Sequence, residues 1–327
     1  MIPTKQPDYL SRLERRIAAG SLQLPPWFMG RHMDYLERSQ RPDGGFAGPG
    51  GPSDLYYTHF ALESAHLPGS ARRDDDAGKE PNASGGSELW TRARSFVQSA
   101  LPTVDNVVDC YCALRSLNLL ERCDVGREAQ DFPGRARRLL DGCRQNGGGY
   151  ATRPDGTAGV YQTFLAGLCY AMLDDHPPDV RADTAFILDR RCADGGFADN
   201  PTNRREMAGG ANPTAAAIGY LKEWSNVDDD VAREAISFLG NLQDDDGGFL
   251  AHARSPMPDL LSTFTSLVTL DDADALESVR LAPAGRFVRR LSQRYGGFCA
   301  TQTHDSPDPE YTYYGLGSFA VLGNKVS

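Results

Sequence analysis

Two kinds of apolar segment alternate along the chain. Arg31 to Ser39, Glu88 to Gln98, Pro133 to Arg144, Val180 to Arg191, Asp230 to Leu242 and Pro283 to Ser292 carry apolar residues at helical spacing on one side and charges on the other. That pattern predicts helices with one face in water. Leu55 to Ala65, Val107 to Leu120, Val160 to Leu173, Pro213 to Trp224, Asp259 to Leu270 and Glu310 to Leu322 are poor in charge over their whole length, which predicts helices buried all round. The two kinds follow one another in strict order. The chain therefore reads as six helical hairpins, each with an outer and an inner member.

A short turn punctuates the hairpins: Asp43-Gly-Gly-Phe46, Gly147-Gly-Gly-Tyr150, Asp194-Gly-Gly-Phe197, Asp246-Gly-Gly-Phe249 and Tyr295-Gly-Gly-Phe298. The aromatic residues recur about every 50 residues, with one interval twice as long, as a repeat with one degenerate unit requires. Leu101-Pro-Thr-Val-Asp105 stands where the second unit should have its turn. Paired glycines let the chain reverse tightly after the outer helix, and the aromatic ring fills the gap between hairpins. Ser53-Asp54, Asn212-Pro213, Pro258-Asp259 and Asp308-Pro309 are suited to open the inner helices, since a carboxylate or amide there accepts from unpaired backbone N–H groups. Residues 68–87 lack large apolar side chains and are expected to form an insertion within a single domain covering 1–327.

Composition narrows the function. A formal charge of -10 without any basic stripe argues against a nucleic-acid partner. No apolar run approaches the roughly 18 to 20 residues of a membrane span. Seven cysteines, an odd number, and an N-terminus without an apolar signal segment lead us to expect a reduced, cytoplasmic protein. The acidic runs Asp228 to Asp230 and Asp244 to Asp246 read as a helix start and a solvated turn.

Turns of the form Gln40-Arg-Pro-Asp-Gly-Gly-Phe46 and Gln243-Asp-Asp-Asp-Gly-Gly-Phe249, set between alternating helices, resemble the repeat shared by protein prenyltransferase β subunits and squalene and terpene cyclases. The resemblance covers nearly the whole chain. It implies an all-α fold, an (α/α)6 toroid in which six inner helices surround a central aromatic-lined cavity. The β-subunit branch is the nearer one, through Gly147-Gly-Gly-Tyr-Ala-Thr-Arg-Pro-Asp-Gly156 and Asp308-Pro-Glu-Tyr-Thr-Tyr-Tyr-Gly-Leu-Gly317. It implies an isoprenoid diphosphate as ligand, a prenyl group transferred to a nucleophile, and a helical-repeat partner subunit; a homodimer through the same toroid surface is the alternative expectation. The cyclase branch would require an acidic D-x-D-D motif, and neither acidic run lies in such a setting.

The β-subunit family also implies zinc, which depresses the pKa of an acceptor thiol. Its ligands would be an Asp and a Cys two residues apart on one inner helix and a His on the next. Asp259 matches the first, while Leu261 and Tyr311 occupy the other two positions. An outside alternative combines His59, Asp109 and Cys112 on adjacent inner helices, against the plainer reading of all three as packed core residues. Tyr57, Tyr161, Phe264, Tyr311 and Tyr313 are candidate cavity residues, with Asp259 at its edge. Arg153, His252 and Arg254 are candidates for a diphosphate, together with Arg204 and Arg205, and free surface arginines are the competing reading. Three functions follow: prenyl transfer, noncatalytic isoprenoid binding or scaffolding, and terpene cyclisation.

Overall fold

A computed structural model describes residues 8–70, 86–120, 127–199 and 208–323. Thirteen helices are present among them, and twelve match the expected hairpins. The outer members are α2 (Pro26–Ser39), α4 (Gly86–Ala100), α6 (Arg127–Cys143), α8 (Val180–Leu188), α10 (Asp229–Asn241) and α12 (Leu281–Leu291). The inner members are α3 (Leu55–Ser70), α5 (Val107–Leu120), α7 (Val160–Met172), α9 (Ala211–Trp224), α11 (Leu260–Asp272) and α13 (Pro309–Leu322). Each inner helix packs on the next, and α13 returns to α3, so the inner helices close a ring. The fold is an α/α toroid.

Some boundaries differ from the sequence reading. Helix α8 stops at Leu188, and Arg190 and Arg191 belong to the following turn. Helix α6 begins at Arg127, with Pro133 inside it rather than at its start. Asn212 does not cap α9, which opens at Ala211 behind Gly210 without a side-chain cap bond. Most of the expected insertion, residues 71–85, lies outside the described residues.

The repeated turn sets all inner helices in the same direction. Gly44, Gly148, Gly195, Gly247 and Gly296 all have φ between 88° and 93°, a conformation that a Cβ would strain. The aromatic residue that follows is buried, and its backbone N–H donates to a threonine hydroxyl one turn into the inner helix: Phe46 to Thr58, Tyr150 to Thr163, Phe197 to Thr214, Phe249 to Thr263 and Phe298 to Thr312. At the corresponding position of α5 stands Cys110, in the one repeat without the turn; there a 3-10 segment, Leu101–Thr103, makes the connection. The outer wall closes where α2 meets the last turn. His32 stacks on Phe298 at 4.6 Å, and its Nδ1 accepts from Gly297 N at 2.9 Å.

The thirteenth helix, α1 (Tyr9–Ser21), has no place in the repeat. Its Leu10, Leu13 and Ile17 form an apolar stripe, and Asp8 caps it by accepting from Ser11 N. The stripe packs across one end of the ring, chiefly on α13 and α3.

Candidate active-site chamber

The turns place the N-termini of the inner helices at one end of the toroid, the mouth. Within the first two turns of these helices some residues stay half-exposed although the outer helices surround them: Tyr56, Val108, Tyr111, Tyr161, Phe164, Asn212, Ala215, Leu261, Thr265 and Tyr311. They recur at three- to four-residue spacing, one stripe per helix, so these stripes face the axis. Deeper in, Arg115, Leu168, Gly219 and Val268 are buried, as is Tyr313 in the second turn of α13. We read the partly uncovered surface along these stripes, two helical turns or about 11 Å long, as an axial chamber that opens at the mouth.

Its walls are aromatic. Phe264 stacks on Tyr314 with centroids 5.0 Å apart and meets Tyr313 edge-on at 5.5 Å. Phe60 meets Tyr56 at 5.0 Å, Tyr314 at 5.2 Å and Tyr313 at 5.8 Å. Tyr57 packs edge-on against Tyr56 at the rim and lies so close to Gly48 that no Cβ would fit there. Tyr57, Tyr161, Phe264, Tyr311 and Tyr313, expected to line the cavity, thus lie along α3, α7, α11 and α13 around one axis.

One carboxylic acid projects among these rings. Glu310, 7% exposed, accepts a hydrogen bond from the Tyr56 hydroxyl at 2.6 Å. Burial pushes its carboxyl up to about 7, and the negative charges of Asp308 and Asp54 act in the same direction. Asp308, the N-cap of α13, accepts from Tyr311 N at 2.9 Å and is raised by burial to about 6. Asp54 accepts from Tyr57 N at 2.8 Å, and burial raises it as well. Among the described residues, no Lys or Arg pairs with Asp54, Asp259, Asp308 or Glu310.

The residues at the expected zinc position do not fit the metal. Asp259 caps α11 with both carboxylate oxygens, one accepting from Ser262 N at 2.7 Å and the other from Ser262 Oγ at 2.8 Å. Leu261 offers no lone pair, and burial drives the Tyr311 phenol further from ionisation. The outside set is not gathered about a point either. His59 lies edge-on to Tyr111 at 5.4 Å, and burial lowers it to about 4. Asp109 accepts from Asn106 Nδ2 at 2.7 Å, and burial raises the Cys112 thiol well above its usual range. Among the described residues, no three His, Cys, Asp or Glu side chains come together to hold a metal ion.

The candidate anion-binding residues lie at the rim. Arg153 pairs with Asp105 at 3.0 Å. His252 and Arg254 occupy an exposed turn, where His252 Nδ1 accepts from Arg254 N at 3.2 Å. Arg204 and Arg205 lie outside the described residues. The acidic runs do what the sequence suggested, Asp228 capping α10 through Asp230 N and Asp244 accepting from Asp246 N within its turn.

The prenyltransferase alpha-alpha toroid domain matches this chain over residues 29–223 and 214–327. The chain belongs to the prenyltransferase toroid family. As a toroid of this family it shares 34% identity over 85 residues with the protein farnesyltransferase β subunit of Pisum sativum, a match spanning 25% of this chain and 20% of that relative. The Candida albicans protein geranylgeranyltransferase-I complexed with GGPP superposes with TM-score 0.65 at 16% identity, covering 90% of each chain. Cellobiose 2-epimerase from Spirochaeta thermophila superposes with TM-score 0.64 at 16% identity, covering 97% of this chain and 99% of its own. At such identities the likeness shows the fold alone, and the two neighbours differ in what they act on.

Sequence reading had passed over Glu63 and Arg115, which meet beneath the chamber. A signal existed: each is a charge in the middle of an inner segment poor in charge. Helix α1, with no counterpart in the repeat, was missed altogether.

Proposed function

We propose that this toroid binds an isoprenoid chain in its aromatic chamber, and that Glu310 is its proton-handling group where it transfers the prenyl group. The observation that carries the reading is the half-exposed axial stripe, where Tyr56, Tyr111, Tyr161, Phe164 and Leu261 present apolar surface to the ring axis. Removing such a chain from water is worth about 0.8 kcal/mol per CH₂ group. The geranylgeranyltransferase neighbour, which holds GGPP, supports a ligand of this class.

Zinc activation of a thiol has no support from Asp259, Leu261 and Tyr311, so no step passes through a metal. Glu310 supplies a different route. In its ionised form, the carboxylate takes the proton of an O–H or N–H nucleophile. The freed electron pair forms the bond to the terminal allylic carbon of a prenyl diphosphate. The carbon–oxygen bond to the diphosphate breaks, and diphosphate leaves with the electron pair of that broken bond. Arg254, exposed at the rim with His252 two residues before it, is our candidate to meet the diphosphate.

The test is equilibrium binding of geranyl and farnesyl diphosphates to the wild type and to Leu261→Trp, which fills the chamber from α11. We expect wild-type binding that weakens at least tenfold in the variant. Failure of both probes to bind the wild type, or equal affinity in the variant, would place the ligand elsewhere or remove it.

A further inference from the structure

Helix α1 does more than cover the ring. It reaches all six inner helices near the level at which the chamber ends. Tyr9 N donates to Glu223 of α9 at 2.8 Å, and Arg12 lies between Glu223 and Asp272 of α11. Arg16 pairs with Asp271 at 2.9 Å, and Glu14 with Arg115 of α5. Gly20 lies so tightly on α13 that a Cβ would fall 1.9 Å from the Ala320 carbonyl oxygen. Ser21 Oγ donates to Leu67 O of α3 at 3.3 Å. The sixth helix, α7, is met by the Tyr9 ring, edge-on against Phe164 with centroids 5.2 Å apart.

This last contact matters for any ligand, because Phe164 is half-exposed to the chamber. Behind it, the buried Tyr313 lies within electrostatic reach of Tyr9, Glu63, Arg115 and Glu14. A chain descending from the mouth therefore meets an aromatic and ionic floor after about two turns. The ion pairs of Arg12, Glu14 and Arg16 along α1, with the close Gly20 contact at its end, hold that floor in place.

We propose that α1, through Tyr9 behind Phe164, sets the length of chain the chamber accepts and selects short prenyl groups over long ones. The proposal rests on the isoprenoid reading above. It adds that the length limit lies in a segment outside the repeat, on a helix that never faces the mouth. A longer chain has to leave its distal units in water or displace Tyr9.

The experiment measures affinities of geranyl, farnesyl and geranylgeranyl diphosphates for the full chain, for Tyr9→Ala and for Phe164→Ala. In the wild type, geranyl should bind at least tenfold more tightly than geranylgeranyl. Tyr9→Ala should bring that ratio to threefold or less by improving the long chain. Phe164→Ala opens the same floor from the wall with α1 intact, and carries the test if Tyr9→Ala fails to fold. Wild-type binding that does not fall with length overturns the proposal and leaves the isoprenoid reading standing, as does a ratio unchanged in the variants. No binding of any length defeats both.

Discussion

The two ends of the inner ring are built from the same helices and treat their acids in opposite ways. At the mouth, Asp54, Asp259 and Asp308 sit at helix N-termini, where backbone N–H groups and the positive end of the helix dipole stabilise a carboxylate without any cation. At the floor, Glu223, Asp271 and Asp272 sit at helix C-termini, where the dipole is unfavourable, and Arg12, Arg16 and Lys222 attend them. Between these ends lie two buried acids that follow the same division. Glu63 is bound to Arg115, whereas among the described residues Glu310 is met by tyrosine hydroxyls and by no cation. The floor is electrostatically locked, and the mouth is left with protonatable acid. That difference suits a closed base and an open, titratable entrance.

The largest effect should come from the lock. Arg115 donates to both carboxylate oxygens of Glu63, the longer contact being 3.2 Å, and reaches Glu14 of α1 with the same guanidinium. Arg115→Ala leaves Glu63 buried without its cation, which typically costs about 3–5 kcal/mol. Urea denaturation should show that loss. Arg115→Ala together with Glu63→Leu should recover a large part of it, because no uncompensated charge remains. A single variant that unfolds at the wild-type midpoint would mean the floor is not locked by this pair.

The mouth predicts a smaller effect of opposite sign with pH. Glu310 is raised from 4.5 to about 7, so the folded state favours its protonated form. Its contribution is complete below about pH 4.5 and is lost as pH rises through 7. Glu310→Gln keeps an oxygen for Tyr56 and cannot ionise. At pH 8 the variant should be more stable than the wild type by on the order of 2 kcal/mol, with the difference vanishing near pH 4. Since Asp308 titrates beside it, the wild-type transition should be broad. Parallel stability profiles for the two proteins between pH 5 and 8 would break the contrast between the ends.

Most of the fold was legible because burial and charge alternate with the repeat. Six charged-faced and six charge-poor segments could be paired before any coordinate was known. What escaped was whatever the repeat does not contain. Helix α1 has a clear apolar stripe in Leu10, Leu13 and Ile17, yet no second copy to draw attention to it. The threonine that receives each turn's N–H recurs in five inner helices, but its distance from the aromatic varies, as Phe46 to Thr58 and Phe197 to Thr214 illustrate. The site was less legible still. A capping Asp259 and a metal-binding Asp259 look identical in sequence, and only the two bonds to Ser262 separate them. Nor does composition tell a half-exposed axial Tyr161 from a packed one, since both lie on an apolar helix face.

The smallest predicted effect concerns the outer edge of the floor. Arg16 is paired with Asp271 and Asp272, but its side chain is 36% exposed, so solvent weakens the attraction. Arg16→Ala should cost no more than about 1 kcal/mol at low salt. The cost should shrink further at 1 M salt, where the screening length falls to about 3 Å. Arg115→Ala, its pair buried, should keep most of its cost under the same conditions. Salt therefore separates the two halves of the floor: one that α1 merely touches at the surface and one that it shares with the interior. If both variants lost their effect equally in salt, the buried pair would be as solvated as the exposed one, and the lock would reduce to a set of surface contacts.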